Sequence, residues 1–207
     1  MLKTVFIFLF FGITFCSAQK VIQKEFSAEG IHSLSINDDA IYKVTIHSSE
    51  ESTIKVSVHI SGEHAESIII EEKIINGKLS LKTGFAPFFI LENDKLAAHK
   101  VMAIELQMTL PNEMAVDVKS KLASILAYGS FKNLSFSLEN GSCILNDFSG
   151  SAQLKTIMGN ITVLAQKNVS GKGISMNGTV ENKLSEQGKF FVEAESVNGS
   201  ISLLQTK

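Results

Sequence analysis

Regular spacing of glycine restricts what the second half of this chain can fold into more than any other feature of the sequence. From residue 112 onward, with Gly173 set aside, glycines recur at 129, 141, 150, 159, 171, 178, 188 and 199. Alternate members form one column, Gly141, Gly159, Gly178 and Gly199, with steps of 18, 19 and 21 residues, and a second, Gly129, Gly150, Gly171 and Gly188, with steps of 21, 21 and 17. A period near twenty residues is the mark of a stacked repeat. It predicts a β-solenoid, β-helix-like, with about two strands and two turns per coil.

The side chains after the glycines test that prediction. Two residues past the first column stand Cys143, Ile161, Val180 and Ile201, and four past stand Leu145, Val163, Asn182 and Leu203. In stacked coils an equivalent position lies over itself at about 4.8 Å, so these become two vertical ladders with Asn182 as the polar break. A buried amide must find partners or mark a coil that opens. The other side reads Leu134/Phe136/Leu138, Ala152/Leu154, Ile174/Met176 and Phe190/Val192/Ala194, at an offset that wanders and so implies bulges. At the corners, Asn140-Gly141, Asn177-Gly178 and Asn198-Gly199 offer left-handed backbone without a Cβ clash. The competing interpretation is a set of type I′ hairpins in an antiparallel sandwich. Hairpins would not need one position to be apolar every twenty residues. Lys119-Ser120-Lys121-Leu122-Ala123 stands where a glycine corner is expected.

Before residue 112 the pattern is two-residue alternation: Leu34 and Ile36; Tyr42, Val44 and Ile46; Ile54, Val56, Val58 and Ile60; Leu79 and Leu81; Met102 to Leu110. These are half-buried strands. Asn37-Asp38-Asp39, Ser48-Ser49-Glu50, Ser61-Gly62, Asn76-Gly77 and Pro111-Asn112 separate them as turns. A single helical turn is expected only at 93–100. The chain therefore divides into N-terminal strands, 19–110, carrying a loop at 83–100, and glycine-cornered coils, 111–207, in one all-β domain. The N-terminal strands continue into the solenoid or pack on it.

Residues 1–18 read differently. Lys3, the 11-residue apolar run Val5 to Phe15 and the small residues Cys16-Ser17-Ala18 form a secretory signal peptide, too short to span a bilayer and cut after Ala18. A lipoprotein signal acylated at Cys16 is the rival, disfavoured by the large Phe15 before it. Cleavage after Ala18 leaves Cys143 alone, so no internal disulfide holds the fold.

All nineteen basic residues are Lys, there is no Trp, and the net charge is −2, so the basic field and guanidinium forks of nucleic-acid binders are missing. Other constellations are thin. His59, Glu63, His64 and Glu66 straddle a strand end and its turn, short of the four converging ligands of a zinc site. His32, His47 and His99 are scattered. Asn37-Asp38-Asp39 suits an Asx turn better than a calcium loop. Glu71-Glu72 point to opposite faces of a strand, so they make no glycosidase pair. Cys143 falls in the ladder and reads as a buried, inert thiol. No catalytic, metal or cofactor site is expected. Phe85-Ala86-Pro87-Phe88-Phe89-Ile90-Leu91 is the most unusual apolar stretch: it covers an open end or side of the β-core, or Phe85, Phe88, Phe89, Ile90 and Leu91 meet a partner, or the loop inserts into a membrane.

The segments Asn140-Gly141-Ser142, Phe148-Ser149-Gly150-Ser151, Met158-Gly159-Asn160-Ile161-Thr162-Val163 and Ser196-Val197-Asn198-Gly199-Ser200-Ile201 together resemble the putative adhesin families of exported bacterial proteins, including the head GIN domain group. Glu25-Phe26, Leu34-Ser35-Ile36 and the strand Ile104 to Leu110 closed by Pro111 resemble their N-terminal part. The resemblance spans most of the mature chain. It implies a β-helix-like fold, no catalytic residues, and a non-catalytic envelope or surface protein, periplasmic, outer-membrane-associated or extracellular, whose partner is a protein or glycan. A β-helix enzyme acting on polysaccharide and a self-associating envelope element are the alternatives. With only Tyr42 and Tyr128 as tyrosines, the sequence holds little for sugar stacking.

Overall fold

The computed structural model describes residues 19–89 and 102–206. The expected signal peptide, the Cys16 alternative and the helical turn expected at 93–100 lie outside the described residues. Those described form fifteen strands: β1 (Gln19–Ser27), β2 (Ser33–Asn37), β3 (Ile41–Ser49), β4 (Thr53–Gly62), β5 (Ile68–Ile75), β6 (Lys78–Phe85), β7 (Met102–Pro111), β8 (Ala115–Ser120), β9 (Ser124–Asn140), β10 (Cys143–Met158), β11 (Ile161–Ala165), β12 (Val169–Ser175), β13 (Val180–Asn182), β14 (Phe190–Asn198) and β15 (Ile201–Gln205). One 3-10 turn, Ala65–Ser67, interrupts them. The fold is all-β.

All fifteen strands belong to one sheet that doubles back over its own core, nearly closed like a barrel. Two long strands make the fold-over. The first halves of β9 and β10 pair within the face β1-β4-β7-β3-β9-β10-β11-β15-β13. Their second halves pair within the opposite face, β5-β6-β2-β8-β9-β10-β14-β12. Both strands bend at glycines with positive φ, Gly129 (101°) and Gly150 (144°), where the β9–β10 register also shifts. The bulges expected from the wandering offset sit here.

Pairing is parallel through β2, β3 and β8–β15, and antiparallel in β1–β4, β4–β7 and β5–β6. The parallel ladders carry the core. Val44, Ile125, Cys143, Ile161, Ile201 and Val180 follow one another across the first face, and Leu34, Val116, Leu134, Ala152 and Val192 across the second. Apart from Val180 these side chains are buried. Each fully buried aliphatic among them contributes about 1.5–3 kcal/mol of transfer free energy. The alternation in 54–60 and 102–110 lies inward as expected. Tyr42 does not: a register shift between Ile41 and Lys43 turns Ile41 into the core and Tyr42 to solvent.

Four expectations need correction. First, the strands do not stack in chain order: β14 lies between β10 and β12, and β15 between β11 and β13. Ile201 therefore sits on Ile161, and Val180 is displaced to the edge, 43% exposed. Second, Ile174 and Met176 do not continue the second-face ladder, because the residues aligned with Val192 and Ala194 are Gly171 and Gly173. A Cβ at Gly173 would meet Val180 at 2.9 Å and Ile201 at 3.0 Å, so the two faces approach too closely there for any larger inward residue. Third, Asn182 is exposed on the edge strand, with its Nδ2 donating to the Gly171 carbonyl (2.7 Å) and its Oδ1 accepting from the Leu184 N–H (3.0 Å).

The fourth correction concerns the corners. Neither Gly141, Gly178, Gly199 nor the asparagines before them adopt positive φ. Close approach explains the glycines instead. A Cβ at Gly141 would stand 2.0 Å from the Ala123 carbonyl oxygen, at Gly159 2.1 Å from that of Gly141, at Gly199 1.9 Å from that of Gly159, and at Gly178 2.2 Å from that of Gly199. The next residue in each corner knits the column together: the Ser142 N–H donates to Ser124 Oγ (3.2 Å), Asn160 N–H to Ser142 Oγ (3.2 Å), Ser200 N–H to Asn160 Oδ1 (2.9 Å) and Thr179 N–H to Ser200 Oγ (3.4 Å). Three residues before the glycine, the hydroxyls of Thr156, Ser196 and Ser175 donate to the glycine carbonyl one layer away, at 2.7–3.1 Å. The glycine-free corner at 119–123 uses Ser120 Oγ, which accepts from the Leu122 and Ala123 N–H groups.

Candidate binding groove

The parity change in β12 brings apolar side chains to the outside of the second face. Ile174 is 45% and Met176 74% exposed, with Ile157 beside them at 49%. They line one end of a groove of about 860 Å³ that crosses the outer second face. One row across it follows the strand register: Asn37, Lys119, Ser137, Lys155, Glu195 and Ile174. Beyond it lie Lys121, Glu139, Ile157, Val197 and Met176, at the mouths of the corners.

Ion pairs order the charged part. Lys155 Nζ lies 3.0 Å from Glu195 Oε2, and Lys121 Nζ 2.7 Å from Asp39 Oδ2. Asp39 Oδ1 also accepts from the Lys121 N–H at 3.0 Å. Hydrogen bonds from the Lys121 side chain and backbone hold the Asp39 carboxyl below its ordinary value, and the same contact raises Lys121. Three lysines face three acids in the lining, so the groove has no net sign to steer a charged ligand. No aromatic ring lines it. An aliphatic strip with balanced charges suits an extended polypeptide better than a sugar, which binds by stacking on rings.

The structure disperses the other candidates. Asp38 makes the Asx turn, its Oδ1 accepting from the Ala40 N–H (2.8 Å), and is buried with Oδ2 accepting from the Thr83 N–H (2.6 Å) and Oγ1 (2.7 Å). His59 shares a hydrogen bond with Ser57 at 3.2 Å, while His64 packs edge-on against Phe89 at 5.2 Å, so the two imidazoles do not converge. Among the described residues no three His, Cys, Asp or Glu come together to hold a metal ion. His47 stacks on Tyr128 at 4.6 Å on the outer first face, beside a smaller groove of about 490 Å³. Glu72 pairs with Lys24. Cys143 is buried between Ile125 and Ile161, and burial pushes its thiol far above the usual range.

The Phe-rich loop is split. Phe85 and Phe89 stack at 5.1 Å, whereas Phe88, at φ 67°, is 99% exposed. Ile90 and Leu91 lie outside the described residues. Two-residue alternation puts Ile174 and Met176 in the core, so that pattern carries no trace of the groove. The readable signal is Gly171-x-Gly173, which leaves two successive inward positions of that strand without side chains.

No family model matches the chain, and no curated protein matches it. Solved structures do. A putative cell adhesion protein from Clostridium sporogenes superposes with a TM-score of 0.67 at 19% identity, over 91% of this chain and 100% of that one. A putative adhesin from Bacteroides fragilis (TM-score 0.42, 13% identity, 89% of this chain and 97% of that one) and another from Parabacteroides merdae (0.44, 11%, 88% and 80%) are more distant. The first likeness establishes a shared fold. Among the described residues no helix is long and apolar enough to cross a membrane.

Proposed function

We propose that this chain is a non-catalytic, exported binding protein of the bacterial envelope or surface, of the adhesin type, and that the groove on its second face takes a polypeptide partner. The observation that carries this reading is the outward Ile174–Met176 strip. A strand that places glycines inward and aliphatic side chains outward exposes apolar surface at a cost in solubility, and such patches mark contact sites. The reading also draws on the fold shared with the Clostridium protein and on the corner motifs that resemble the head GIN domain group. Residues 123–205 are read as two-strand windings stacked through the Ala123–Gly141–Gly159–Gly199–Gly178 column, a β-solenoid whose rigid backbone holds the groove open. Phe88 is a second, separate contact.

The test places a photo-crosslinking amino acid at Met176, at Phe88 and at Thr45 on the opposite face, in cells that make the protein. Expected is a discrete protein adduct from position 176 and none from 45. Equal adducts from 176 and 45, or none from 176, overturn the groove assignment. Clearance of an acidic polysaccharide panel by purified protein overturns the non-catalytic reading.

A further inference from the structure

The out-of-order winding carries an inference about how molecules of this chain join. Among the described residues, β12 pairs only with β14 outside one isolated bridge, Ser170 to Ser185, and β13 pairs only with β15. Residues 190–205 thus fill a slot, with β10 and β11 on one side and β12 and β13 on the other. The slot makes parallel ladders on both sides of both strands. It also seats Gly199 between Gly159 and Gly178, at distances that exclude a Cβ.

The connections show that the occupant is a separable piece. Residues 166–168 leave β11 and pass over a whole layer to reach β12, and residues 183–189 return from β13 to the layer that was skipped. The two cross in close contact: a Cβ at Gly188 would meet the Ser170 nitrogen at 2.6 Å and the Asn168 carbonyl oxygen at 2.7 Å. The returning segment is largely exposed apart from Leu184, which packs against the core.

The corner chemistry of neighbouring windings is interchangeable. Ser175-Met176-Asn177-Gly178-Thr179-Val180 and Ser196-Val197-Asn198-Gly199-Ser200-Ile201 match position by position, and in the structure they stack on each other, with Asn177 Nδ2 donating to Asn198 Oδ1 at 2.9 Å.

We propose that the slot between β10–β11 and β12–β13 is a strand-exchange site, and that its occupant, residues 190–205, is supplied in trans by a second copy of the chain. A second copy fits because its winding is identical: every ladder hydrogen bond, the glycine column and the hydroxyl contacts of Ser196 and Ser200 are reproduced without a new surface. Exchange of an identical element changes only the connectivity, so concentration decides between the closed monomer and linked molecules. Reciprocal exchange gives a dimer, and exchange passed from copy to copy gives an open chain.

The test uses the full chain and a fluorescent synthetic peptide of residues 187–206, with the same peptide carrying Gly199→Ala as control. Both are present while the protein is unfolded in guanidinium chloride and refolded by dilution, and bound label is read by size-exclusion chromatography. Expected is saturable retention of the wild-type peptide and at least tenfold weaker retention of the G199A peptide, whose Cβ would fall 1.9 Å from the Gly159 carbonyl oxygen. The substitution is in the peptide, so the protein's own folding is untouched. Retention of neither peptide, or equal retention of both, overturns the proposal.

Discussion

Asn76-Gly77 and Asn198-Gly199 spell the same dipeptide, yet the first turns a local hairpin and the second stacks a corner between residues far apart in the chain. At 76–77 both residues have positive φ, 50° and 72°, and the antiparallel strands β5 and β6 leave the turn side by side. That geometry belongs to the type I′ hairpin. At 198–199 neither φ is positive, and what requires glycine is a carbonyl oxygen of the layer below. The lesson is that glycine is selected for two unrelated reasons, torsional freedom and absent volume.

The broadest way to break the comparison is to remove the non-local partner. Deleting residues 190–205 should leave the 76–77 hairpin protected in hydrogen exchange while residues 169–182, which pair almost wholly with the deleted strands, lose protection entirely. Next, Gly199→Ala should cost about 3 kcal/mol in denaturant unfolding, since its new Cβ meets fixed backbone. Removing the Ser196 hydroxyl, which donates to the Gly159 carbonyl at 3.1 Å, should cost about 1 kcal/mol as Ser196→Ala. The asparagines separate the two geometries directly. Asn76→Ala should cost about 1 kcal/mol for left-handed backbone, and Asn140→Ala, at ordinary φ, should stay within about 0.5 kcal/mol.

The smallest effect is electrostatic, at the corner that lacks glycine. The Asp39 carboxyl is depressed by Lys121, so its contribution is present above the ordinary Asp value and fades as pH falls through the lowered one. Lys121 is raised, so its share is lost only as pH climbs through that raised value. The acid limb of a stability-against-pH curve should be slightly shallower in Asp39→Asn, and both residues are exposed enough for salt to erase the difference.

Much of this was legible in the chain. The alternation in 54–60 and 102–110 gave the inward residues, because a half-buried strand admits one parity. The twenty-residue period placed Cys143 beside Ile161 and Leu145 beside Val163, as the ladders have them. Layer order was not legible: Gly178 and Gly199 sit in near-identical surroundings, so local pattern fits either order, and only the crossing of two connections decides. The parity of β12 was lost for a different reason. Apolarity implies burial at Ile174 and Met176, but between the faces there is no room for an inward side chain on that stretch. A hydroxyl stands three residues before three of the four corner glycines, at 156, 175 and 196, but its hydrogen bond to the adjacent layer has no local trace. Of the Phe-rich loop, sequence marked an unusual stretch but could not tell that Phe85 and Phe89 pair while Phe88 stands clear.

Synthesis delivers a polypeptide in one direction, and this topology runs against that direction at its end. The stretch 169–182 emerges before the segment that will hold it, so for a time it has apolar groups and open amides with nothing to settle on. Until residues 190–205 are in place, that sticky edge stays open to proteases and to neighbouring chains.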